Sequence, residues 1–213
     1  MKREEFFSIF TGIVVFGSIW GLLESTVGDF LKDRGYPSGV IMTAIFGFGI
    51  MVLTRKIYGV RGMQLGMGLL AGTLRYFNPV GSCVLCSSIA IMAEGMLFEF
   101  LYINPALQFS ALKGQKEIVG MGIISGYLIY FLAYLTTQIL TPFVTTGSVV
   151  AEDFFATVPL GLARATAAGL LGGVTLPVIL AVRTLDISAV KKDIYYPAAY
   201  IISGLCWIVI ALI

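Results

Sequence analysis

The chain has 213 residues, of which 58% are hydrophobic and 12% charged, with a formal net charge of +2 and no histidine; its mean hydropathy is +0.93. A soluble domain needs a charged surface and a lipid-facing one does not, so this composition excludes a soluble fold. The missing histidine removes the commonest metal ligand and proton shuttle, and with it haem on histidine and His-based zinc or nickel sites. No basic tract points to nucleic acid.

A membrane-spanning helix needs about 20 apolar residues, each rising about 1.5 Å. Seven apolar runs meet or approach that length: residues 6–27, 38–54, 62–76, 84–102, 118–140, 158–182 and 195–213. Lys2 and Arg3 resemble the charged start of a signal peptide. The first run is too long for a signal core, however, and no Ala-x-Ala site ends it, so it is expected to remain as both anchor and structure. Connections are short and several carry turn chemistry: Gly35-Tyr36-Pro37-Ser38, Asn78-Pro79, Asn104-Pro105 and Thr145-Thr146-Gly147-Ser148. The pattern predicts one domain, an all-α integral membrane protein built as a compact bundle of about seven transmembrane helices. It becomes six if the third and shortest run is re-entrant.

Charge sets the expected orientation. With a cytoplasmic N-terminus and seven spans, the cytoplasmic segments hold Lys2 and Arg3, then Arg55, Lys56 and Arg61, then Lys113 and Lys116, then Arg183, Lys191 and Lys192. The outer segments hold Lys32 and Arg34, balanced by Asp29 and Asp33, and the acidic Glu152 and Asp153. That is a positive-inside pattern, with the C-terminus outside. The expected location is a prokaryotic inner membrane.

Small residues recur on single helix faces at Gly17 and Gly21, Gly62 and Gly66, Gly68 and Gly72, and Ala165, Gly169 and Gly172. Membrane helices gain from close backbone contact, which such faces permit. They serve packing inside the bundle or docking of a partner subunit. Gly17 and Gly21 are the candidates for docking, having few small neighbours nearby in the chain.

Ionisable groups within spans cost about 2.5–3.5 kcal/mol each at mid-helix and need a partner or water. Glu24, Arg75, Glu94 and Arg164 fall in the expected outer half, and Glu99 lies toward the cytoplasmic end. At 100° per residue, Cys83, Cys86, Ala90 and Glu94 share one helix face, with Glu94 about 16 Å deeper than Cys83. Two readings stay open. The charges neutralise each other as structural ion pairs, or they line an outward-facing pocket for a small polar or zwitterionic ligand. In the second reading Glu24, Arg75, Asn78, Glu94 and Arg164 anchor the ligand, while Tyr76 and Phe77 stack on it.

Cys83-Val84-Leu85-Cys86 resembles the redox motif of the quinone-coupled disulfide oxidases of the bacterial inner membrane and of the vitamin K epoxide reductase family. The resemblance implies an outer-facing thiol-disulfide oxidoreductase. Those families use a second cysteine pair, and here the only other cysteine is Cys206. Two thiols without histidine do not make a metal site; as small apolar residues they fit a helix equally well.

A broader resemblance is to the substrate-binding S components of energy-coupling factor vitamin transporters. It is carried by the Gly-rich third run ending Leu74-Arg75-Tyr76, by Pro79-Val80-Gly81, by Ile89-Ala90-Ile91-Met92-Ala93-Glu94-Gly95, and by the small-residue face at Gly17 and Gly21. Those components usually have six helices and an Ala-xxx-Ala face. The resemblance implies capture of a vitamin-like micronutrient from outside, with a membrane T subunit and ATPase subunits as partners and no resident cofactor. No Walker motif or Gly-x-Ser-x-Gly is present, and a binding subunit is expected, not an enzyme. A structural or assembly subunit of a membrane complex is the remaining alternative.

Overall fold

The computed structural model describes residues 3–78, 83–104, 109–112, 114–182 and 192–213. Among these residues there are seven helices: α1 (Phe6–Asp33), α2 (Ser38–Tyr58), α3 (Met63–Phe77), α4 (Val84–Leu101), α5 (Gln115–Thr146), α6 (Ala151–Ala181) and α7 (Ile194–Leu212). Six are long and apolar enough to cross a membrane. The exception is α3, whose 15 residues reach about 22 Å, short of the ~30 Å hydrocarbon core. The protein is thus an all-α membrane bundle of six long helices and one short one. The expected turns at Pro79 to Gly81 and at Pro105, and the basic Lys2, Lys113, Arg183 and Lys191, lie outside the described residues.

Successive helices run antiparallel, which gives the bundle two distinct ends. Gly35, Cys83 and Gly147 mark one, here called the disulfide end. Arg55, Lys56 and Arg61 mark the other, the basic end. Glycine sets the turns between helices, with φ of +75° at Gly35 and Gly147, and +64° and +85° at Gly59 and Gly62. A left-handed backbone of this kind suits a residue without Cβ.

Burial ranks the helices. Over its most apolar stretch α2 is 56% buried and α7 only 22%, so α2 is the central post and α7 a peripheral strut. The core around α2 contains Trp20, Phe48, Met51, Met67, Phe98, Tyr102 and Leu176. Large apolar side chains such as Leu170, Val174, Ile201 and Leu205 are exposed, as a lipid-facing surface requires. Hydroxyls in the spans bond back to their own helices: Ser18 donates to the Val14 carbonyl, Thr26 to Leu22, Thr54 to Ile50 and Ser88 to Val84. Each donor is thereby satisfied without water.

Glycine lets the backbones approach. Gly68 on α3 meets Gly95 on α4, where an added Cβ would lie 3.0 Å from the Gly95 Cα. Gly122 and Gly126 on α5 meet Gly172 and Ala168 on α6 in the same way. Gly17 and Gly21, expected to face a partner subunit, are instead buried against α3. A Cβ at Gly17 would lie 3.1 Å from the Met67 carbonyl oxygen, and one at Gly21 3.1 Å from Leu74. Their neighbours are another helix's backbone and leucines, which is why no small residue nearby in the chain revealed them. The short α3 is therefore held between α1 and α4.

These contacts set a packing test. A methyl at Gly122 overlaps the Gly172 carbonyl oxygen, whereas Gly120, two residues away, has nothing within 4 Å. Gly122→Ala should destabilise by about 1–3 kcal/mol, and Gly120→Ala should leave the melting temperature unchanged in the same detergent. Equal melting temperatures for the two variants would contradict the α5–α6 contact.

Candidate functional site

Two helices lose their regular winding at the same place. In α1 the stretch Glu24–Gly28 is π-helical, and in α2 the stretch Met42–Gly47 is as well. A π turn holds one extra residue and rotates the helix face beyond it; such turns recur at functional sites. Both stretches here border one cavity of about 310 Å³ at the disulfide end.

The cavity is lined by Glu24 and Lys32 of α1, Met42 and Thr43 of α2, Cys83, Cys86, Ala90 and Glu94 at the start and middle of α4, Tyr130 and Tyr134 of α5, and Arg164 of α6. The volume is at the small end of the ~300–1,000 Å³ range of ligand pockets. Cys83, Cys86, Ala90 and Glu94 all reach it, as their shared helix face requires. Cys83 and Cys86 are joined by a disulfide.

Glu94 is buried, 4% exposed, within the cavity lining. Thr43 Oγ1 donates to its Oε1 at 2.6 Å. The other oxygen, Oε2, has no hydrogen-bond partner and faces Gly47, where a Cβ would lie 3.1 Å away. Glu24 accepts from Trp20 Nε1 at 3.2 Å, and the Trp20 ring fills the space over Gly47. Glu24 and Glu94 are close enough to repel one another when both are charged. Across the cavity, Arg164 lies beside the Tyr130 hydroxyl. Tyr130 and Tyr134 are parallel, with ring centroids 6.3 Å apart, and form an aromatic wall. Two carboxyls, two cations and two phenols thus converge from four helices.

Arg75 has a different role from the one expected. It lies outside the cavity lining, and its guanidinium makes a two-pronged contact with Asp29, with Nη1 and Nη2 each 2.7 Å from a carboxylate oxygen. The side chains are only 4% and 14% exposed, so this pair is structural, joining α1 to α3. Asn78, fully buried, caps the same region. Tyr76 and Phe77 do not line the cavity; they are 55% and 74% exposed and meet each other edge to face. Glu99 pairs with Arg55 at 2.6 Å near the basic end.

Sequence reasoning missed Lys32, Thr43, Tyr130 and Tyr134. The tyrosines had a usable signal, an aromatic stripe at helical spacing over Tyr127, Tyr130 and Tyr134. Thr43 had none, because its partner Glu94 lies 51 positions away on another helix. Among the described residues no group of His, Cys, Asp and Glu is arranged to hold a metal.

The chain is a multi-pass α-helical membrane protein with a charged, aromatic-walled cavity at one end. No family model matches it, and no curated protein and no solved structure matches it either.

The two arginines should separate experimentally. Arg75→Ala strands the buried Asp29 and should cost about 3–5 kcal/mol of stability, with Asp29→Asn, Arg75→Ala together recovering part of the loss. Arg164→Ala, at an exposed position, should change stability by less than about 1 kcal/mol. Thermal or denaturant unfolding in detergent measures both; a reversed ranking would refute the division into structural and cavity charges.

Proposed function

We propose that this chain is the substrate-binding membrane subunit of an uptake transporter for a small, polar, vitamin-like micronutrient. The cavity itself carries the reading. Glu24 and Glu94 suit an amine or other hydrogen-bond donor on the ligand, Arg164 and Lys32 suit a carboxylate or similar anion, and Tyr130 and Tyr134 suit its flat or apolar part. A zwitterion fits both signs of charge. The basic end, with Arg55, Lys56, Arg61 and Lys116, is the cytoplasmic one by the positive-inside rule. The cavity then opens outward in a prokaryotic inner membrane, with the N-terminus inside and the C-terminus outside. The resemblance to energy-coupling factor S components supplies the expected partners, a membrane T subunit and ATPase subunits. Their docking face is not the one at Gly17 and Gly21, which α3 occupies.

Native mass spectrometry of the protein from its own membranes in mild detergent tests this directly. The expected result is one bound species of vitamin-like mass. Glu94→Ala should weaken its binding tenfold or more, since truncating one partner of a buried charged contact costs about 2–5 kcal/mol; Arg164→Ala, at an exposed position, should weaken it by a smaller factor. Folded variants that bind as well as the parent would sink the site assignment.

A second reading rests on the disulfide in the cavity wall. A dithiol substrate entering the cavity would reduce Cys83–Cys86 and leave as a disulfide. A quinone would then take up two electrons and two protons from the thiols, becoming a quinol. Cys83→Ser separates the readings: it should abolish quinone reduction if the redox reading holds, and leave ligand retention within about threefold if the transporter reading holds.

A further inference from the structure

A second cavity, of about 420 Å³, lies at the basic end, far from the disulfide-end site. Its lining combines Arg55, Lys56 and Arg61 with Tyr102, Phe109 and Leu180. Three cations against an apolar and aromatic wall is the chemistry of an amphiphilic anion.

The cations are placed differently from one another. Arg55 is held by its own fork: Nη1 donates to the Val60 carbonyl at 3.0 Å and Nη2 to Glu99 at 2.6 Å. Its Nε is buried and has no hydrogen-bond partner. Glu99 also accepts from the Gln64 backbone N–H at 3.1 Å, so its charge is committed to Arg55 and α3. Lys56 Nζ donates to the Leu180 and Val182 carbonyls, both at 2.7 Å, at the end of α6. An ammonium has three donors, and those two bonds fix its position while leaving one N–H. Arg61 stands exposed on the turn between Gly59 and Gly62. Glu99 neutralises one of the three cations, so among the described residues Lys56 and Arg61 leave the cavity positive.

The wall points to a lipid. Tyr102 is 1% exposed and its hydroxyl is tied to Ser125 at 2.8 Å, so it presents only its ring. Phe109 packs on that ring, with centroids 4.8 Å apart. Beside the cavity Val182, whose carbonyl accepts from Lys56, is an exposed apolar residue, and with Phe109 and Leu180 it provides an apolar surface for an acyl chain. A soluble phosphate has no use for that surface, whereas an acidic phospholipid matches both parts. Basic pockets between membrane helices take such headgroups.

We infer that the basic-end cavity binds the phosphate headgroup of an acidic phospholipid, with Lys56 and Arg61 as the recognising cations. This is independent of the function assigned to the disulfide-end cavity. The test uses the full chain, delipidated in detergent and titrated in native mass spectrometry with phosphatidylglycerol or with phosphatidylcholine of the same chains. Inorganic phosphate is titrated separately, and melting temperature checks folding. Phosphatidylglycerol should bind at least about fivefold more tightly than phosphatidylcholine. Arg61→Gln should weaken it by about fivefold, the contribution of one cation near a lipid surface. Lys56→Gln should do the same where it folds, and Arg34→Gln, at the opposite end, should have no effect. Equal binding of the two lipids would overturn the proposal, as would an equal effect of Arg61→Gln and Arg34→Gln. Displacement of phosphatidylglycerol by millimolar inorganic phosphate would assign the site to a soluble anion and overturn the lipid reading.

Discussion

A charge inside hydrocarbon has no water to turn to, and the rest of this structure is arranged around that constraint. The pair Asp29–Arg75 shows it most directly. Asp29 lies beyond the apolar run of the first helix, where a charge would ordinarily end a span. Here the run continues as helix to Asp33, because Arg75 of α3 meets the carboxylate in a two-pronged contact. That contact anchors the end of a helix too short to span and fixes α3 against α1. It also removes Arg75 from the charges available to a ligand. At the other end, Arg55 and Glu99 tie α2 to α4. Each end of the bundle thus has a satisfied pair among the described residues, and the basic-end pair also supplies Arg55 to the cavity there.

The π turns are the second element of the arrangement. Glu24 opens the π stretch of α1 and Thr43 lies at the start of that of α2. The extra residue in each turn re-aims the side chains beyond it, and the two turns lie side by side with Trp20 between them. Their winding is less favourable than an α-helix. Placing two such turns around one buried carboxyl is hard to explain as packing alone, because Gly47 and Trp20 would close as well on an apolar residue at position 94. The Thr43–Glu94 hydrogen bond lies where the π stretch of α2 begins.

Much of this was legible in the sequence. Hydropathy located all seven helices, since lipid demands long apolar runs with no alternative. Helical period placed Cys83, Cys86, Ala90 and Glu94 together. The cost of intramembrane charge singled out Glu24 and Arg164. What failed depended on information that is not local. Asp29 resembled an outer-segment charge because its neutraliser lies 46 positions away. Arg75 was assigned to the cavity for the same reason. Gly17 and Gly21 were assigned to a partner because their true neighbours, the Met67 carbonyl and Leu74, belong to another helix. Helix ends also ran past the apolar runs: α5 and α6 reach Thr146 and Ala151, beyond 140 and before 158, since polar residues near the interface do not stop a helix.

The two cavities differ in a way that bears on which is functional and which is accessory. At the disulfide end the carboxyls are deep and charged or polar side chains approach from several helices, so a ligand there would meet polar groups on several sides. At the basic end the cations cluster on one turn and one helix terminus, and the remaining wall, Tyr102, Phe109 and Leu180, is apolar or aromatic, so polar recognition of an occupant comes from one side only. Polar contact from several sides favours selectivity among small molecules, because each unsatisfied buried group penalises a poor fit. One-sided contact favours class recognition, such as sign of charge and the presence of an acyl chain. Discrimination among ligands is therefore expected of Glu24, Glu94 and Arg164, and attachment to the bilayer of Lys56 and Arg61.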